Sequence, residues 1–148
     1  MCRIICGWGD RIPIDIRLHT MVHPLNEKFN GEESGTLMYP SSGIPSLRIV
    51  AFQVGTSNYY YMDTAPGQST YELDGFPPAK YHVVAYTFGS GAQGIAGGYS
   101  QMAPCGLQYG CNDHTLIEMV VTSGHITIGV DPEDYYAPQG TFPPDPAP

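Results

Sequence analysis

Residues 69–86 read S-T-Y-E-L-D-G-F-P-P-A-K-Y-H-V-V-A-Y, and no other stretch restricts the fold of this chain so tightly. Tyr71 and Leu73 alternate with polar neighbours. The chain then reverses over Asp74-Gly75-Phe76-Pro77-Pro78-Ala79, and beyond it Tyr81, Val83 and Ala85 alternate again. Alternation at period two, interrupted by a glycine and two prolines, specifies strand, tight connection, strand. Pro77 and Pro78 have no N–H to give a helix, so the connection is stiff as well as short.

The rest of the chain extends the same pattern. Strands are expected at about 34–39, 46–54, 58–63, 69–74, 80–88, 115–122 and 125–131. In the second of these Leu47, Ile49 and Ala51 face a core, and Val50 and Phe52 make the opposite face apolar too, so something must cover that face. The segment Asn58-Tyr59-Tyr60-Tyr61-Met62 is likewise apolar on both sides. Ile117, Met119 and Val121, then Ile126, Ile128 and Val130, are expected to point inward from a last hairpin turning at Ser123-Gly124. Composition agrees with an all-β chain: 18 glycines, 14 prolines and 11 tyrosines, with only 14% charged residues, leave little material for long helices. At 148 residues the chain holds one domain with appendages.

The hairpin resembles the Y-x-L-x-G-L-P-P-G-x-Y-x-V hairpin of carboxypeptidase-regulatory-like, or Cna-B-like, domains. The flanking S-G-T-L-M-Y-P and I-E-M-V-V-T-S-G-H-I-T-I-G-V-D resemble the strands on either side of it in that family. The resemblance spans about residues 34–131 and implies a seven-stranded Greek-key β-sandwich of transthyretin-like topology. Ala79 stands where the family usually has glycine, which leaves the turn type open. Some members form Lys–Asn or Lys–Asp isopeptide bonds beside a Glu. The lysines here are only Lys28 and Lys80, with Lys80 in the hairpin turn, so no such bond is expected.

Outside that span, residues 1–33 form an N-terminal extension and residues 132–148 a tail with six prolines, either a linker or a strap laid over the surface. Within the extension, residues 11–18 alternate without a break, with Ile12, Ile14, Ile16 and Leu18 on one face. This is a strand with one face to bury, and Pro13 directs it to a sheet edge. It either folds back onto its own sheet or completes the edge of a neighbouring copy by strand donation.

Four cysteines form two local pairs. Cys105 and Cys111 close P-C-G-L-Q-Y-G-C and are expected to be bridged, which implies an oxidising, extracellular or cell-surface setting. Cys2 and Cys6 make either a second local bridge or two free thiols. The N-terminus, M-C-R-I-I-C-G-W, lacks the apolar core and cleavage site of a signal peptide, so the export route stays open. A net charge of −8 with six scattered basic residues excludes nucleic acid and anionic membrane surfaces as partners, and no apolar run approaches the ~20 residues of a membrane span.

Catalytic and metal-binding patterns are sought without success. His19 and His23 are four apart, but Pro24 favours extended chain over a helix that would pair them. His82 reads as a surface histidine. Asp113-His114 beside Cys111 lacks a third orienting group. Asp131, Glu133 and Asp134 cluster without the glycine-containing spacing of a calcium loop. No cofactor loop is present, so no enzyme activity and no cofactor are expected. Tyr59, Tyr60, Tyr61, Tyr99 and Tyr109 are the candidate aromatic contact surface, either for glycan or for packing and subunit contacts. The expected function is therefore a structural subunit that assembles with copies of itself, as a filament or surface layer, through its N-terminal strand. The alternative is a monomeric glycan- or peptide-binding accessory module of a larger surface protein.

Overall fold

The computed structural model describes residues 17–18, 31–87 and 95–146. Its strands are β1 (Arg17–Leu18), β2 (Gly31–Thr36), β3 (Leu47–Gln53), β4 (Tyr59–Asp63), β5 (Thr70–Phe76), β6 (Ala79–Thr87), β7 (Ala96–Gly98), β8 (Met119–Val121) and β9 (Ile126–Thr127). One helical turn, α1 (Met102–Cys105), interrupts them. No helix among the described residues is long and apolar enough to cross a membrane.

Two sheets form. The larger has the order β1-β4-β3-β6-β7, with β8 sharing the β6 edge, and the smaller has the order β5-β2-β9. Every pairing is antiparallel except β2 with β9. The core lies between the sheets. Leu47, Ile49 and Ala51 of β3, Tyr60 of β4 and Tyr81, Val83 and Ala85 of β6 meet Tyr71, Leu73 and Phe76 of β5. Phe76, Tyr81 and Tyr60 form a ring cluster, Phe76 edge-on to Tyr81 at 4.9 Å between centroids.

The β5–β6 connection is Pro77-Pro78, and the Tyr81 hydroxyl donates to the Pro77 carbonyl across it at 2.6 Å. The backbone freedom this hairpin needs falls at Gly75, at φ +84, where a register shift against β2 leaves it as the extra residue of a bulge. Ala79 simply starts β6 and is not among the positive-φ residues, so alanine there is unstrained.

The all-β, two-sheet architecture is as expected, but the strand count is not seven. The last two expected strands shrink to Met119–Val121 and Ile126–Thr127. The long insertion before them contributes the extra strand β7. The expected inward set is partly wrong: Met119, Val121 and Val130 are buried, but Ile126 and Ile128 are 55% and 74% exposed. Only two residues of β9 pair with β2, and Gly129 at φ +75 then breaks the alternation, so Val130 alone turns inward. The first strand of the sandwich also starts three residues earlier than expected, at Gly31. Its inward residue Glu33 is fully buried, an unusual site for a carboxylic acid.

Candidate functional site

Described residues hold no group of three or more His, Cys, Asp or Glu side chains placed to grip a metal ion. The members of the acidic cluster part company. The Asp131 carboxylate accepts the Thr36 N–H at 2.7 Å, whereas Asp134 is fully buried. Burial first, and Asp131 second, push the Glu133 carboxyl above its ordinary range. Asp113 is exposed, and hydrogen bonds from the Thr115 hydroxyl first and from the Thr115 N–H second, the latter at 3.0 Å, hold its pKa below the usual value. It makes no relay with His114.

His114 serves Asp134 instead. Its Nδ1 lies 2.7 Å from Asp134 Oδ2, and the same oxygen accepts the Ser100 hydroxyl at 2.7 Å. Asp134 Oδ1 accepts the Tyr136 N–H at 3.1 Å. A Ser, a His and an Asp are thus together, but with the carboxylate in the middle. Nucleophilic catalysis needs the imidazole between hydroxyl and carboxylate, and the Ser100 hydroxyl is buried and already bonded at both its donor and acceptor sides. The arrangement is a fastener. With the reciprocal backbone bonds between Gly98 and Asp134, at 3.1 Å each, it fixes the start of the C-terminal tail to the insertion.

Beyond that fastener the tail crosses the outer face of the larger sheet. Val50 of β3, Tyr61 of β4 and Val84 and Tyr86 of β6 form a second apolar cluster there, closed by Phe142. Gly98, opposite Val84, makes room on this face, since a Cβ there would lie 2.7 Å from the Phe142 ring; Gly97, opposite Ala85, faces the core side, where a Cβ would lie 2.4 Å from the Tyr135 ring. The hydroxyls of Tyr86 and Tyr59 donate to the Pro143 and Pro146 carbonyls. Arg48 stacks over the Tyr61 ring at 4.7 Å, is held by Asp63 at 2.8 Å and reaches Asp145 at 3.4 Å. Together these make a tyrosine-lined groove with a proline-rich segment seated in it.

No family model, curated protein or solved structure matches this chain. The groove and its surroundings must therefore be read from their own chemistry.

The five tyrosines expected to share a surface are divided. Tyr60 is in the core. Tyr59 and Tyr61 stack on the opposite face of β4, 6.4 Å between centroids. Tyr99 packs against the core, and Tyr109 stands alone and fully exposed. Tyr109 sits at the tip of the loop closed by the Cys105–Cys111 disulfide, whose Cα atoms are 6.1 Å apart. That loop starts from α1, where Met102 is buried as its anchor. Lys80 is exposed, 3.7 Å from Glu118, and so is not a core partner for any carboxyl.

Of the expected assembly strand, β1 is hydrogen-bonded to β4 of the same chain, Arg17 opposite Tyr61 and Leu18 opposite Tyr60. Ile12, Ile14 and Ile16 lie outside the described residues, as do Cys2, Cys6, His19, His23 and Lys28. An open polar trough of about 660 Å³ lies over β2 and β5, lined by Ser34, Thr36, Gln68, Thr70, Glu72 and Asp131. It offers no aromatic face for a sugar ring, because Tyr71 is buried with its hydroxyl bonded to Glu33 and the Val130 carbonyl.

Sequence reasoning anticipated a covered outer face and a strap, but did not join them. The signals were present: Val84 and Tyr86 alternate outward on β6, Gly98 offers bare backbone beside them, and Phe142 is the lone bulky apolar residue among the tail's closing prolines.

Proposed function

We propose that this chain is a non-enzymatic extracellular structural protein: a Greek-key β-sandwich of the carboxypeptidase-regulatory-like, Cna-B-like kind that assembles with copies of itself. The pairing of β1 with β4 carries this reading. It means that the edge of the larger sheet accepts a strand from outside the sandwich, which is what strand donation requires. The pairing is within one chain. Exchange with a neighbour needs only that residues 19–30, which reach about 40 Å when extended, lead to the next copy. The apolar face Ile12, Ile14, Ile16, Leu18 supplies the driving force, at roughly 1.5–3 kcal/mol per buried side chain. An extracellular setting is supported by the Cys105–Cys111 disulfide, since such bonds persist where the surroundings are oxidising.

Sedimentation of the full chain and of a chain lacking residues 1–18 tests this. The full chain polymerises, and the truncated one remains folded and monomeric. Polymers of the truncated chain, or a full chain that stays monomeric at every concentration, refute strand-mediated assembly. The alternative reading, a glycan- or peptide-binding accessory module, draws on Tyr109, fully exposed on its disulfide-closed loop. It requires a ligand whose binding is lost on Tyr109→Ala.

A further inference from the structure

The groove on the outer face of the larger sheet recognises a proline-rich segment by features that do not depend on the segment belonging to the same chain. Phe142 is the anchor, buried among Val50, Val84 and Tyr86 above the bare backbone of Gly98. The polar contacts are two tyrosine hydroxyls to proline carbonyls and Arg48 to Asp145. Arg48 is itself oriented by Asp63 and the Tyr61 ring. Prolines at 143, 144 and 146 restrict the free segment towards its extended form, so little order is lost on docking.

The tail is held at two separate places. Residues 134–136 are tied down by the buried Asp134 fastener, and residues 142–146 by the groove. Between them lies a turn closed by Thr141 on the Pro138 carbonyl, with Pro138, Gln139, Gly140 and Thr141 all exposed. Opening that turn frees residues 142–146 while the fastener stays intact. From residue 136 to residue 142 the extended chain spans about 20 Å, enough to carry Phe142 off its own sheet.

We propose that this groove takes the 142–146 segment of a second copy, so that neighbouring copies exchange their C-terminal straps. The inference rests on the self-assembly reading above and adds a second contact to it. Both contacts converge on β4: β1 pairs with Tyr60 and Tyr61, and the strap ends on Tyr59. Because every groove contact is remade in the exchanged form, the two forms differ mainly in the turn and in the concentration of the segment. A tethered segment has an effective concentration in the millimolar range, so the strap stays at home in dilute solution and exchanges where copies are crowded or already aligned by the edge strand.

The test uses full-length chains. An unlabelled chain carrying Pro144→p-benzoylphenylalanine is mixed with ¹⁵N-labelled wild type, irradiated across a range of concentrations, digested and read by mass spectrometry. Light–heavy peptides linking residue 144 to β3, β4 or β6 are expected, rising with protein concentration. Adding Phe142→Ala to the photoreactive chain lowers them by about tenfold or more, since a buried aromatic anchor is lost. Circular dichroism checks that this variant folds. Light–light links alone in samples that have polymerised overturn the exchange and leave edge-strand assembly standing. Monomers at every concentration overturn the self-assembly reading, and light–heavy links in a polymer made by chains lacking residues 1–18 establish exchange without strand donation.

Discussion

Glu33→Gln should make this protein more stable at neutral pH, and more so as the pH rises towards about 8. Glu33 is fully buried on the inner face of β2. Its Oε1 is 3.1 Å from the Tyr71 hydroxyl, and its Oε2 has no partner. Tyr71 is bonded in turn to the Val130 carbonyl at 2.7 Å, so its single proton is committed there. The geometry is complete only if Glu33 carries a proton and donates to Tyr71. Burial is the main cause that pushes its pKa up to about 8 from 4.5; the Tyr71 hydroxyl lowers it only when it donates to the carboxylate instead of to Val130. An acid whose pKa is raised on folding binds its proton more tightly in the native state. Stability is then highest below the unfolded value, falls as pH rises from about 4.5, and levels off above about 8. At pH 7 the gap between pH and the unfolded pKa is about 2.5 units, or about 3 kcal/mol at 1.36 kcal/mol per unit.

Glutamine has the same shape, donates the same bond to Tyr71 and never ionises. Its carbonyl takes the place of the unpartnered oxygen, and its second N–H is left without a partner, costing about 1 kcal/mol. The variant is therefore expected to gain about 2 kcal/mol at pH 7 and to lose up to about 1 kcal/mol at pH 4.5. Urea unfolding at pH 4.5, 6, 7 and 8.5 on both proteins, disulfide intact, measures the difference directly. Other titrating groups cancel in it. A constant difference across that range would mean that Glu33 is ionised in the native state and would refute the reasoning.

Phe142→Ala removes the ring that closes the outer cluster and should cost about 3 kcal/mol, read from denaturant midpoints, with faster proteolysis of the tail. Gly98→Ala places a methyl 2.7 Å from that ring. It should destabilise by about 1–3 kcal/mol, with the hydrogen-exchange change confined to β7 and the tail. Cys105→Ser opens a short loop and should cost about 2 kcal/mol. Amides at 101–117 should lose protection while those of β3 and β6 keep theirs.

How much of this could be read from the chain depends on what each residue's burial costs. The inner faces of β3 and β6 were legible because burying Leu47, Ile49, Ala51, Tyr81, Val83 and Ala85 needs no special chemistry. β2 was misplaced by three residues because Glu32-Glu33 looks like solvated connection. Glu33 becomes a core residue only by giving up its charge, a state that depends on Tyr71, 38 positions away. Ile126 and Ile128 failed for the opposite reason. They alternate correctly, but alternation places residues on a face only while the strand is paired, and pairing ends at Thr127.

The groove exposes a further limit of reading pattern alone. Apolar residues on both faces of β3 and β6 say that the outer face is covered, and nothing in their spacing says by what. The answer sits in small residues and in polar ones. On the outer face Gly98 is a position where any side chain would collide with Phe142, and on the core side Gly97 is one where it would collide with Tyr135. Asp134 can be buried only because Ser100, His114 and the Tyr136 amide converge on it. A buried carboxylate with three hydrogen-bond partners is costly to separate from them, so the fastener sets where the tail begins its crossing, and Gly98 admits the Phe142 ring further along. The strap's course is therefore fixed at its start by hydrogen bonds and further along by shape. Between those two regions the chain at 137–141 is held only by its own turn. If one part of the tail leaves the sheet, physical reasoning puts the break there, between Tyr136 and Phe142.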